Sequence, residues 1–233
     1  MDQINRIRRT SIWIFLLPVA VLNVCLFISV NYLIFENTIF AVDQIGRSGF
    51  TIPYIDGGVS ISRTARTYPT YLIFKPGMII TAFLLIKYWI ANNKMTQIIN
   101  NQNEKNYRFL FFGVSSAIFL IAHSIFLGIS FEYDLYKFFR RFILLSFIIF
   151  EIIAQALLVI TLFKMKDKIS NYINKKILIF KILLVTSLTI IALASLPILT
   201  SSGHTSFKHA LEWNYFIGVV SFYLLTFFFW KKR

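Results

Sequence analysis

The sequence predicts an all-α polytopic membrane protein built as a bundle of six transmembrane helices. Three observations predict it: six long apolar stretches, a mean hydropathy of +0.69, and a hydrophobic share of 57% that includes 26 Phe residues. Each stretch is long enough for the roughly 20 helical residues that cross a hydrocarbon core about 30 Å thick. Because lipid offers no hydrogen-bond partners, such stretches must be helices that pair their own backbone groups. The predicted spans cover residues 11–35, 71–91, 109–131, 138–163, 177–199 and 210–230.

The first span follows three arginines, as the apolar core of a signal peptide would. Arg6, Arg8 and Arg9 precede it, but the apolar run from Ile12 to Phe35 is much longer than the usual core of roughly 7–15 residues. We therefore predict a retained first span. It contains Cys25, the single cysteine, which excludes an intramolecular disulfide or a multi-cysteine metal site.

The spans leave room for one integral membrane domain, residues 1–233, whose longest non-spanning segment is an outer loop at 36–70. Between Thr51 and Gly58 this loop has a proline, which fixes φ, and two glycines, which permit positive φ. We predict a structured turn there, over the outer mouth of the bundle. A loop of this length in so compact a protein favours a functional role.

The formal charge of +14 would indicate nucleic-acid binding in a soluble protein. Here the basic residues flank spans and no DNA- or RNA-binding motif accompanies them, so we predict no nucleic-acid partner. We interpret them as topology determinants and as contacts for anionic headgroups. One side of the membrane carries fourteen Lys and Arg residues: Arg6, Arg8, Arg9, Lys94, Lys105, Arg108, Lys164, Lys166, Lys168, Lys175, Lys176, Lys231, Lys232 and Arg233. The other side carries seven: Arg47, Arg63, Arg66, Lys137, Arg140, Arg141 and Lys208.

This asymmetry predicts that both termini are cytoplasmic. The remaining lysines, Lys75, Lys87 and Lys181, lie within or at the ends of spans. We expect their long side chains to snorkel toward water.

Glu151 and Gln155 are polar residues inside the fourth span. A charged side chain near the bilayer centre costs about 2.5–3.5 kcal/mol on insertion scales. One turn apart, the two side chains share a helix face. They are either an interhelical hydrogen-bonding pair that fixes packing or part of a proton relay or substrate contact. His123, in the outward half of the third span with Ser116 two turns earlier, is likewise either a packing residue or a ligand.

The last span opens with His209-Ala-Leu-Glu-Trp213. His209 and Glu212 share a face, and His204 lies in the preceding loop. His, His and Glu can bind zinc, but this spacing matches no metal signature, so we predict no metal and no cofactor. The passage is interpreted as a hydrogen-bonded outer cap with Trp213 as an interfacial anchor.

By the predicted topology, a group of polar side chains lies at the outer side of the bundle. Its acidic and His members could orient a polar headgroup, and its arginines could hold a phosphate through charge-assisted hydrogen bonds. In the alternative interpretation, Arg140 and Arg141 only mark the interface. The candidate headgroup-binding residues are His123, Arg140, Arg141, His209, Glu212, Trp213, Asp56, Arg63 and Arg66.

Two passages resemble the DRAM–Frag–Sfk superfamily of six-span proteins, which includes the damage-regulated autophagy modulators and the N-terminal domain of the fungal cell-wall protein CWH. They are Ile52-Pro-Tyr-Ile-Asp-Gly-Gly58, followed by Tyr68-Pro69 and Phe74-Lys-Pro-Gly77, and His209-Ala-Leu-Glu-Trp213, similar to the family's Glu-Trp pair. Asp56 stands where the family commonly has Ser. The resemblance implies a role in lipid organisation, lipid remodelling or membrane trafficking, without implying a reaction.

We therefore expect a non-catalytic protein integral to a membrane: the plasma or inner membrane in a prokaryote, an endomembrane or the plasma membrane in a eukaryote. Its expected partners are membrane lipids and other membrane proteins. One alternative is a lipid hydrolase or acyl-remodelling enzyme that uses His123, His209, Glu212 or Glu151 as acid and base or as metal ligands. A second is a small-solute or proton-coupled transporter that depends on Glu151 and Gln155. No serine-hydrolase, phosphate-loop, dinucleotide or zinc-protease signature is present.

Overall fold

A computed structural model describes residues 2–101, 107–129, 134–201 and 203–231 of the protein. Its elements follow the chain as α1 (Asp2–Val30), α2 (Ile61–Arg66), α3 (Tyr71–Asn100), α4 (Arg108–Phe126), α5 (Asp134–Lys164), α6 (Lys175–Thr200) and α7 (Thr205–Phe229). All except α2 are long and apolar enough to cross a membrane. The predicted all-α bundle with six membrane-capable helices is confirmed at this level.

The ends of several helices differ from the prediction. α1 ends at Val30, and a separate 3-10 turn covers Tyr32–Phe35. α3 continues to Asn100, beyond the predicted end of the span, so its polar last turns are helical as well. In this extension the Asn92 side chain donates to the carbonyl of Tyr88, one turn earlier (2.9 Å). α7 begins five residues earlier than predicted, at Thr205.

The end of the third predicted span differs as well. α4 stops at Phe126, and residues 127–129 are not helical. The last two residues of that predicted span, 130–131, lie outside the described residues.

The six long helices form a closed ring in which each packs against two neighbours. Going round the ring, the order is α1, α3, α4, α5, α6 and α7, and α7 returns to α1. Aromatic side chains fill the interior: Trp89 and Tyr88 of α3 lie edge-on to Tyr223 of α7, with ring centroids 6.5 and 4.9 Å apart. Gly113 of α4 gives the Trp89 ring room, since a Cβ there would collide with it. The aromatic core therefore packs α3 against α4 and also joins α3 to α7 through the interior of the ring.

The first and last described residues lie at one end of the ring, which we call the terminal end. Arg8 donates from Nε to the carbonyl of Phe227 (3.2 Å). Near the other terminus, an isolated β-bridge joins Trp230 to Ile173 in the connection between α5 and α6. The opposite end carries the loop at 31–70 and the start of α7, and we call it the first-loop end.

Candidate functional site

The first loop is fastened to the opening turns of α7. The Nδ1–H group of His209 donates to the carbonyl of Gly57 (3.0 Å), and the indole N–H of Trp213 donates to the carbonyl of Val59 (2.9 Å). Asn214 donates to the carbonyl of Tyr54 (2.7 Å). The two passages that carry the family resemblance therefore pack against each other.

Tyr54 adds an aromatic contact to this fastening. Its ring lies edge-on to Trp213, with centroids 5.0 Å apart, and its hydroxyl accepts from the side chain of Asn23 in α1 (3.3 Å). Burial raises the pKa of the Tyr54 hydroxyl, and the hydrogen bond with Asn23 opposes that rise. Through Tyr54 the loop is thus joined to both α1 and α7.

Glu212 links α7 to the short helix α2. Its carboxylate interacts with the backbone N–H groups of Ile61 and Ser62, which are the first two residues of α2. Ser60 caps the same helix, accepting from the N–H of Arg63 (3.1 Å). A carboxylate at this position is favourable because the first N–H groups of a helix have no partner inside it. Glu212 therefore lies where a negative charge favours the start of α2.

Asp56 organises the turn within the loop. Its carboxylate accepts from the Thr51 hydroxyl (2.5 Å) and from the N–H groups of Ile52 (2.8 Å) and Gly58 (2.9 Å). The hydrogen bond from Thr51 contributes most to holding the pKa of Asp56 below its ordinary value, followed by those from Gly58 and Ile52. Asp56 thus supports the predicted structured turn from within it.

A polar cavity of about 300 Å³ opens beside this turn. Its lining residues are Arg47, Ser48, Gly49, Phe50, Thr51, Gly58 and Arg63. The Arg63 side chain donates to the carbonyls of Ile45 (2.7 Å) and Arg47 (3.2 Å). Arg47 is ion-paired with Glu36 (3.0 Å). That is the only ion pair among the described residues, so Arg63 brings a positive charge without a carboxylate partner to the cavity.

The other predicted headgroup residues lie elsewhere. His123 is half-buried in the last turn of α4, and Arg140 lies on α5 with its guanidinium over the ring of Tyr136 (5.7 Å). Neither lines the cavity. Arg66 ends α2 and also lies outside the lining, and the side chain of Arg141 is outside the described residues. The predicted outer group is therefore divided between the fastened loop and the α4–α5 side of the bundle.

A second polar cluster lies in the middle of the bundle around Glu151, which is 1% exposed. Its carboxyl group takes hydrogen bonds from the hydroxyl of Ser116 (2.6 Å), the side-chain amide of Gln155 (3.0 Å) and the hydroxyl of Tyr223. Gln155 also donates to the carbonyl of Val219 (3.2 Å). The cluster joins α4, α5 and α7.

The expectation that Lys181 snorkels is wrong. Its side chain is 0% exposed. The Nζ atom donates to the hydroxyl oxygen of Thr226 (2.8 Å) and lies 3.9 Å from the centre of the Phe222 ring. α7 packs over this face of α6 and closes the route to water. Lys87, in contrast, is exposed.

The four groups of the enzyme alternative are not brought together. Glu212 lies eleven residues before Tyr223 on α7, about 16 Å along the helix at 1.5 Å per residue. His123 lies seven residues beyond Ser116 on α4, about 10 Å by the same rise. His209, one turn before Glu212, donates to the carbonyl of Gly57 in the first loop and so lies with Glu212, far from Glu151. Over the described part of the chain, no group of three or more His, Cys, Asp or Glu is arranged to hold a metal ion.

Sequence reasoning missed several members of both clusters: Arg47 in the loop, and Tyr223, Thr226, Tyr88 and Lys181 in the bundle. The available signal was the recurrence of polar side chains inside otherwise apolar spans, which the prediction used for Glu151, Gln155 and His123 but not for Tyr88, Tyr223 or Thr226. Comparison of the chain with protein-family models, curated proteins and solved structures finds no match.

Proposed function

We propose that the protein is a non-catalytic, six-span membrane protein of the DRAM–Frag–Sfk type that binds the phosphate of anionic lipid headgroups at its first-loop end. Both termini would be cytoplasmic, and the first loop would lie at the outer membrane surface. The observation that carries this proposal is the cavity lined by Arg47 and Arg63. The resemblance in the loop and at the start of α7 supports a role in lipid organisation or remodelling.

The cavity has free donors for an anion. An arginine side chain has five N–H donors, and Arg63 uses two of its own on loop carbonyls. Arg47 uses two, one on Glu36 and one on the carbonyl of Val42. The remaining N–H groups can bind phosphate oxygens in the paired geometry that guanidinium groups favour.

The loop that forms the cavity carries exposed apolar side chains, and Phe50 among them lines the cavity. Phe50 is 87% exposed, Ile55 80% and Ile45 67%. Clustered apolar side chains on a surface commonly mark a site of contact with a membrane or a partner. Placed at the interface, they would enter the acyl region while the arginines face the headgroups. This combination of exposed apolar side chains and a cationic cavity in one loop fits a phospholipid better than a free polar anion.

The fastening of the loop to α7 favours such binding. Trp213 is buried and His209 half-buried, and both donate to loop carbonyls. A loop already held in one shape loses little conformational entropy when a ligand arrives. In this proposal His209, Glu212 and Trp213 position the loop, and the arginines contact the lipid.

Gly49 allows a test that leaves the structural contacts intact. A Cβ at this position would meet no atom within 4 Å, so a side chain can be added inside the cavity. Gly49→Glu adds a carboxylate that competes with phosphate, and Gly49→Gln is the neutral control of the same size. We expect Gly49→Glu to lower retention of phosphatidylglycerol about tenfold relative to Gly49→Gln, the effect of about 1.4 kcal/mol.

Native mass spectrometry would measure retention after release from nanodiscs of phosphatidylcholine with or without phosphatidylglycerol. Added inorganic phosphate distinguishes the two sources of the anion. If added inorganic phosphate displaces phosphatidylglycerol, the cavity binds a free anion. Equal retention by the Glu and Gln variants would contradict the proposal.

A further inference from the structure

The interior of the bundle contains an acid and a base that the proposed lipid site does not use. Glu151 on α5 and Lys181 on α6 are both fully buried, and both lie in helices long and apolar enough to cross a membrane. Ionisable side chains are rare in such positions, because a charge there is costly, and they commonly mark a functional site. Their surroundings differ in a way that suggests what they do.

The surroundings of Glu151 suit both of its protonation states. The hydroxyl oxygen of Ser116 lies 2.6 Å from the Glu151 carboxyl group and 2.9 Å from the carbonyl of Gly113. Ser116 has a single hydroxyl hydrogen. When Glu151 is ionised, that hydrogen can point to the carboxylate. When Glu151 is protonated, the carboxyl group can donate to Ser116, which then donates to Gly113.

The other two neighbours complete this arrangement. Tyr223 and Gln155 both reach the second carboxyl oxygen of Glu151. As donors, they can bond to that oxygen in either protonation state. A proton can therefore bind to or leave Glu151 without any movement of the surrounding heavy atoms.

Lys181 has a much poorer set of partners. Its amine donates to Thr226 and faces the rings of Phe222 and Phe229, with centres 3.9 and 5.3 Å away. The only ion pair in the described part of the chain is the one in the first loop, so no carboxylate contacts Lys181. An ammonium group, with three donors, is incompletely satisfied here.

Three hydroxyl groups lie between the acid and the base. Tyr223, which donates to Glu151, is three residues before Thr226 on α7, so the two share a face. Tyr88 of α3 contacts both, with its ring edge-on to Tyr223 at 4.9 Å and its hydroxyl 3.2 Å from that of Thr226. The α7 side chains that contact the two ionisable groups therefore lie one turn apart, and the ring contact between Tyr88 and Tyr223 links their surroundings.

We propose that Glu151 and Lys181 form a coupled intramembrane proton-binding pair. One proton held between them leaves the pair with no net charge, as carboxyl and amine or as carboxylate and ammonium. The carboxyl–amine arrangement keeps charge out of a medium of low dielectric constant, and in the carboxylate–ammonium arrangement the two opposite charges partly offset each other. Because charges interact strongly in such a medium, the charge state of each group influences the protonation of the other, and the pair titrates as a unit.

Infrared difference spectroscopy of the full chain in nanodiscs tests the pair. The carbonyl stretching band of a protonated carboxyl group is followed between about pH 4 and about pH 10. This range includes the ordinary pKa of Glu and comes close to that of Lys. We expect a carboxyl band that changes with pH in the wild type and is lost in Glu151→Gln. Lys181→Met should displace the midpoint of that change by at least about one pH unit.

Lys87→Met, which removes an exposed lysine of α3, is the matched control and should leave the midpoint in place. If Lys181→Met does not fold, Tyr88→Phe removes only the hydroxyl that touches Thr226 and should displace the midpoint as well. The proposal is overturned if no carboxyl band depends on Glu151. It is also overturned if the midpoint in Lys181→Met, or failing that in Tyr88→Phe, equals that of the wild type.

Discussion

Gly57 sets how closely the first loop approaches α7. Its φ of +61° lies in the left-handed region, which glycine adopts without a steric cost. A Cβ here would collide with the carbonyl of Ser206 and press on the backbone nitrogen of Ala210. The close backbone contact in turn brings Gly57 within reach of His209. One residue without a side chain thus makes the fastening possible.

Gly57→Ala should therefore destabilise the protein. The left-handed conformation alone costs a non-glycine residue roughly 1–2 kcal/mol, and the collision with α7 adds to that. Gly49→Ala is the control, because that position has an ordinary φ and open space around it, and a change there should be neutral or slightly stabilising. Chemical unfolding in detergent measures both free energies. Equal stabilities of the two variants would contradict this account of Gly57.

At the scale of elements, the turn of the first loop should depend on the ionisation of Asp56. Because hydrogen bonds from Thr51, Gly58 and Ile52 lower its pKa in the folded protein, the ionised carboxylate stabilises the turn. This contribution is complete above the ordinary pKa of 3.8 and is lost as the pH falls through the lower, folded-state value. The turn is therefore expected to loosen only in acid.

Hydrogen exchange of the amides of residues 51–58, corrected for intrinsic rates, at about pH 6 and about pH 3 measures this effect. Protection should fall at the lower pH in the wild type. Asp56→Asn should show weaker protection at both pH values and little difference between them, because an amide cannot accept all three hydrogen bonds and does not titrate there. A wild-type turn equally protected at both pH values would refute the role of the carboxylate.

The elements also show how far the sequence could lead. Hydropathy predicted the six long helices because it measures the apolar character that favours their insertion into lipid. It could not register the polar extension of α3 to Asn100 or the polar first turn of α7. Nor could it indicate α2, whose six residues are too few to form a stable helix alone. These segments are helical because of their neighbours.

In the candidate sites, too, local sequence patterns predicted individual residues but not the contacts between distant ones. The sequence singled out Ile52–Gly58 and His209–Trp213 separately, and their contact joins residues 152 positions apart, which no local pattern encodes. Lys181 lies six residues inside α6, a position from which a lysine can snorkel. Whether it does so depends on α7, so its burial is a property of the packed bundle.

At the scale of the whole molecule, the closed ring places the first and last described residues at one end and the cavity lined by Arg47 and Arg63 at the other. The residues near the terminal end belong to the side with fourteen basic residues, and those near the first-loop end to the side with seven. Because the more basic side is retained in the cytoplasm, the first-loop end should face outward. This orientation is also what the headgroup proposal requires.

Single-cysteine labelling in intact cells can establish the orientation. The natural Cys25 is buried inside α1, so the wild type should react little with a membrane-impermeant maleimide and serves as the control. Gln44→Cys in the first loop and Lys175→Cys at the start of α6 both replace exposed side chains at opposite ends of the ring. We expect Gln44→Cys to react in intact cells and Lys175→Cys to react only after permeabilisation. The reverse pattern would show that the protein has the opposite orientation, with the arginine cavity at the cytoplasmic leaflet.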